Sequence, residues 1–155
     1  MKQYLASLAL AAALALPASA TTFPSLTTIY IGAGVRDDGG GANAGVATVF
    51  MCSNVSGVSA QIRFLLLTSN GLVLGQYTTT IAHGRTFTAA THFQATFIDD
   101  VGFGFGSVGQ GVINIEATQS GVFCTAAVVN AAVAALAEGI PLHLVRVNPH
   151  PSTVE

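Results

Sequence analysis

The chain has 155 residues, 51% of them apolar, with five basic and seven acidic side chains and a formal charge of −2. After Lys2 the only lysine or arginine cations are Arg36, Arg63, Arg85 and Arg146, scattered singly. That excludes the clustered basic surface which displaces counterions from nucleic-acid phosphates. So much apolar material supports one folded domain, whose exterior must then be covered by neutral Thr, Ser, Asn, Gln and Gly.

The N-terminus reads as a secretory signal. Lys2 supplies the early charge, Leu5 to Leu16 is Leu and Ala broken only by Ser7, Pro17 ends the run, and Ala18-Ser19-Ala20 presents small residues for cleavage. Twelve apolar residues fall short of the roughly 20 needed to span a bilayer as a helix. Residues 1–20 are therefore expected to be removed near Ala20. Residues 21–155 remain as one extracytoplasmic domain, periplasmic or secreted, with no membrane span and no lipid attachment at Thr21.

The following periodicity is that of strands. A first run covers Leu26–Ile31, and a glycine-rich loop, Gly32–Asn43, carries Asp37 and Asp38. Val46–Cys52, Val58–Thr68, Leu72–Ile81 and Arg85–His92 follow, separated by turn residues including Asn70-Gly71, and are expected to form a meander. Phe93–Ile98 continues this or pairs separately. Asp99–Gly109 reads as a second glycine-rich loop, with Asp99 and Asp100 at its start and Phe103 and Phe105 between glycines. Val112–Thr118 and Val122–Val129 are strands, the alanine-rich Asn130–Glu138 suits a short helix stopped by Gly139, and Ile140–Val147 is a last strand whose Pro141 belongs at a sheet edge. The fold class is all-β: an antiparallel β-sandwich of eight or nine strands in the immunoglobulin-like or jelly-roll range, with a closed barrel as the alternative.

Cys52 and Cys124 form an even pair behind a signal sequence, which predicts one disulfide, expected between non-adjacent strands. Neither has the neighbours of a redox or zinc motif. Gly104-Phe105-Gly106-Ser107-Val108-Gly109 matches a dinucleotide fingerprint by letter, but a strand follows where the phosphate-binding helix should open. Asp37, Asp38, Asp99 and Asp100 supply oxygen ligands for calcium if the two loops meet, although no loop has EF-hand spacing and solvated turns account for them equally well. His83, His92, His143 and His150 lack the two-residue spacing of ligands on one strand face. No serine lies in a nucleophile elbow, and Asn54-Val55-Ser56 is a glycosylation sequon in a predicted turn.

These observations lead to a non-enzymatic exported sandwich, without a cofactor, acting through its surface as an interaction, adhesive or envelope-associated module. Its partner is expected to be protein, another copy included, met through an edge strand near Leu142–Val147 or through a partly exposed Phe103/Phe105 loop. The alternative is a periplasmic domain binding calcium or a small ligand at the acidic loops. A concave pocket lined by Asp37, Asp99 and His92 would favour that alternative, or a hydrolase.

Overall fold

The computed structural model describes residues 24–134 and 139–147. The signal-like segment, residues 135–138 and the tail from residue 148 lie outside them. Ten strands are present among the described residues: β1 (Thr27–Asp37), β2 (Val46–Asn54), β3 (Ala60–Thr68), β4 (Val73–Ile81), β5 (Thr86–Ala90), β6 (Val101–Gly102), β7 (Val108–Ala117), β8 (Val122–Asn130), β9 (Ile140–Leu142) and β10 (Leu144–Arg146). They form two five-stranded sheets, ordered β10-β1-β7-β3-β4 and β6-β5-β2-β8-β9, all antiparallel except β5–β6. No helix long and apolar enough to cross a membrane occurs among the described residues.

The core is what period-two alternation demands. Phe50 and Cys52 of β2 face Phe64 and Ile62 of β3 across the sandwich, with Ile113, Ile115, Val122 and Ile29 filling the space between. The Phe50 and Phe64 rings lie 6.0 Å apart. This packing explains why the expected meander does not form. A hairpin between β2 and β3 would put both rings on one sheet; instead the chain crosses between sheets after β2 and again after β4. Only β3 and β4 remain a hairpin, and β2 pairs with β5 and β8.

Cys52 and Cys124 are bonded, but on neighbouring strands rather than non-adjacent ones. They are register partners on β2 and β8, with Cα atoms 4.1 Å apart and side chains in the core. β1 continues to Asp37 through residues expected to be a loop, because bulges around Val35 turn both Val35 and Asp37 inward. β7 likewise begins earlier than expected, at Val108. Phe93–Ile98 forms no strand. It crosses the outer face of the second sheet, where Phe97 packs over Ala47, Val49, Ala90 and Val129 in a small second core. The expected helix is not seen in its described part: Asn130 ends β8, and Ala131–Ala134 is a turn held by the Asn130 side chain. The last strand is split about His143, with β9 on the edge of one sheet and β10 on the edge of the other. The segment is thus at an edge, as Pro141 required.

Candidate functional site

The two acidic loops meet at one end of the sandwich. Asp37 closes β1 and is 3% exposed; its Oδ1 accepts the Gly39 N–H at 2.6 Å, and its Oδ2 lies 2.9 Å from His92 Nδ1, just beyond β5. His92 Nε2 lies 2.9 Å from the Ala44 carbonyl oxygen, and the Asn43 N–H donates to the Phe93 carbonyl at 2.8 Å. One imidazole therefore ties the end of β1, the β1–β2 loop and the segment after β5. Below it, buried Thr48 accepts the Arg36 N–H and donates to the Arg36 carbonyl, while Thr91 Oγ1 accepts the Thr48 N–H.

The two contacts favour the protonated form of His92. A carbonyl oxygen only accepts, so Nε2 must carry hydrogen, and the carboxylate calls for a second one on Nδ1. Burial opposes the resulting charge, but the hydrogen bonds to Asp37 and Ala44 and the fields of Asp37 and Asp38 outweigh it, and the imidazole is held above its ordinary range. Asp38 accepts the Gly40 and Val46 N–H groups at 3.2 and 2.9 Å, which hold its carboxyl below its usual value. Gly45 completes this loop with φ +71°, where a Cβ would fall 2.2 Å from the Asp38 carboxylate.

Asp99 and Asp100 are spent the same way. Asp99 accepts the backbone N–H and side-chain amide of buried Gln94 at 3.1 and 3.0 Å, and burial raises its carboxyl above the usual range. Asp100 accepts the Thr88 N–H at 2.7 Å and returns its own N–H to the Thr88 carbonyl. Each of the four carboxylates accepts at least one backbone N–H, and Asp37 and Asp99 also bond the side chains of His92 and Gln94. No set of three or more His, Cys, Asp or Glu among the described residues is arranged to hold a metal ion. The Asp37–His92 pair resembles half a catalytic relay, but both ring nitrogens are committed, so none is free to take a proton from a nucleophile. A cleft of about 190 Å³ lined by Arg36, Val46, Val128 and Ile140 is smaller than the roughly 300–1,000 Å³ of ordinary ligand sites.

Phe103 and Phe105 are half-buried. They stack on each other with centroids 5.1 Å apart, and Phe103 also meets Phe50, Phe64 and Tyr77, so the loop plugs the seam between β4 of one sheet and β5 and β6 of the other. Phe105 lies directly over Gly75, where a Cβ would fall 2.5 Å from its ring. No family model, curated protein or solved structure matches this chain.

The outer face of the first sheet shows what the exterior offers. Register rows Val145–Ile31–Asn114–Leu65 and Val112–Leu67–Val73 put aliphatic side chains on the outer face of this sheet, which no strand among the described residues covers, beside the Arg63–Glu116 ion pair. Val145, Ile31 and Val73 are exposed. In the sequence, Leu65 and Leu67 beside Phe64 and Leu66 mark both faces of β3 as apolar. Asp37 and His92 could be grouped there only as possible pocket lining, because their contact, 55 residues apart, depends on the loops converging.

Proposed function

We propose that this chain is an exported, non-enzymatic β-sandwich acting through its surface as an interaction, adhesive or envelope-associated module. The observation that carries the reading is the consumption of the ionisable groups where the acidic loops meet: Asp37, Asp38, Asp99, Asp100 and His92 all serve local backbone or one another. Catalysis needs an oriented base with a free lone pair, and hard-cation binding needs several convergent oxygens. The exposed aliphatic face supplies what surface recognition needs instead. The disulfide fits an oxidising, extracytoplasmic compartment.

The test has two arms. The protein recovered from the extracytoplasmic fraction should begin at Thr21, and recovery with Met1 intact would remove the export half of the reading. A photo-crosslinking residue at Val73 should capture protein in the producing cell, whereas one at Pro24 should not. Turnover of any ester, glycoside or peptide substrate that His92→Gln abolishes would overturn the non-enzymatic half.

A further inference from the structure

The two sheets end in four outer strands, and three of them are blunted. β6 has two residues, β9 has three with Pro141 among them, and β10 has three ending in Arg146. Asp100 caps β5 beside β6 by bonding both backbone groups of Thr88. Short length, proline and charge are the devices that keep sheet edges from pairing. β4 has none of them. Its nine residues carry no charge and no proline, and nothing among the described residues pairs with its outer side. One bulge at Leu74 interrupts it, leaving Gly75–Ile81 regular.

We propose that β4 pairs antiparallel with β4 of a second copy of this chain, joining two five-stranded sheets into one of ten strands. The proposal rests on the surface-acting reading above and names the partner. A two-fold axis at Thr78, the middle of the regular stretch, sets Thr78 opposite itself, Gln76 opposite Thr80, Tyr77 opposite Thr79 and Gly75 opposite Ile81. Every pair then stays on one face of the sheet, as the period of two requires. The outer-face pairs bring hydroxyls and an amide together, with no like charges opposed. The neighbouring charge, Arg63 opposite Thr78 on β3, is compensated by Glu116. A foreign strand would satisfy the same backbone groups, but Val73–Ile81 carries no charge to select one. A strand compatible with itself about its own midpoint selects itself, and a net charge of −2 does little to keep copies apart.

The test is the mass of the purified exported protein by light scattering and sedimentation equilibrium at high micromolar concentration. The expected result is twice the single-chain mass for the wild type and the single-chain mass for Thr78→Lys, which sets two ammonium groups face to face, with an unchanged far-ultraviolet circular dichroism spectrum to show that the variant is folded. As a second measurement, Thr78→Cys should give a covalent dimer with a short bis-maleimide, while Thr125→Cys on the other sheet should not. A single-chain mass for the wild type, a doubled mass retained by Thr78→Lys, or equal crosslinking at both positions would overturn the proposal. If the wild type is single-chain but position 78 crosslinks to a different protein in the producing cell, the second-copy partner is wrong and the surface reading stands. A single-chain wild type that turns over a substrate through His92 removes both.

Discussion

Asn54→Ala should destabilise the domain by about 2–3 kcal/mol. Asn54 ends β2 with its side chain fully buried, and its amide makes four bonds. Nδ2 donates to the Val58 and Ile81 carbonyls at 2.7 and 2.8 Å, and Oδ1 accepts the Ser56 N–H and hydroxyl at 3.0 and 2.7 Å. It thereby joins the turn between the sheets to the end of β4. Truncation removes the buried bond to the Ile81 carbonyl, which keeps its ladder partner Ala60, at a cost of about 0.5–1.5 kcal/mol. The bonds to Val58 and Ser56 are less enclosed and recover water, adding roughly 1 kcal/mol, with a small void on top. For a domain of this size, 2–3 kcal/mol lowers the melting temperature by roughly 10 °C. Urea titration at constant slope measures it, with exposed Asn70→Ala as a control expected within about 0.5 kcal/mol of wild type. Asn54→Asp should be worse than alanine at neutral pH, since it aims a buried carboxylate at two carbonyl oxygens. An Asn54→Ala variant within about 0.5 kcal/mol of wild type, or an aspartate variant as stable as wild type, would refute the reasoning.

The same burial makes the Asn54-Val55-Ser56 sequon incompatible with a glycan in the folded domain. Material made in a glycosylating host and sorted by protease resistance should carry no sugar at Asn54, by peptide mass mapping. Cys52→Ser should cost about 2–5 kcal/mol, read from denaturant midpoints, and neither cysteine should label as a free thiol in the native protein. Because His92 is held above its ordinary value of 6.5, its contribution is complete below that pH and fades as pH rises through the higher native value. The stability gap between wild type and His92→Gln should therefore narrow from pH 6 upward, and a widening gap would reverse the assignment of the imidazolium. Gly75→Ala should expel the Phe105 ring from the seam at a cost of about 1–3 kcal/mol, seen as dye binding to newly exposed aromatics and a lowered urea midpoint.

Strand positions were legible because alternation is local: Ile62, Phe64 and Leu66 point inward, and Gln61 and Arg63 outward, whatever else the chain does. Sheet membership was not, since it depends on whether a turn closes a hairpin or crosses the sandwich. The Asn54 clasp makes the latter choice through contacts with Ile81, 27 positions away. The Cys52–Cys124 bond was legible as a pair, while its placement between neighbours required knowing that β8 returns beside β2. Phe93–Ile98 reads as strand because it is apolar at alternate positions, but Phe97 covers a second face rather than extending a ladder, and Phe93 and Ile98 stay exposed. The acids of the candidate site were found by composition. What they do was set by donors such as Gln94 and Val46, whose relevance no motif announces.

The pairing of β1 with β10 also decides how the domain responds to tension. Tyr30 lies opposite Arg146 and Gly32 opposite Leu144, so the entering and departing chain leave the sheet side by side. A pull on both ends loads this ladder one rung at a time, an unzipping geometry in which each short step yields before the next is stressed. The three-residue β10 would peel first, taking with it the Arg146 guanidinium held over the Phe123 ring. Peeling then stops at Cys52 and Cys124, because the covalent bond, spanning a sequence separation of 72, keeps the enclosed loop out of the extended length. A module built this way yields gently and by a limited distance when strung in a line, and stays undisturbed when held by one end alone.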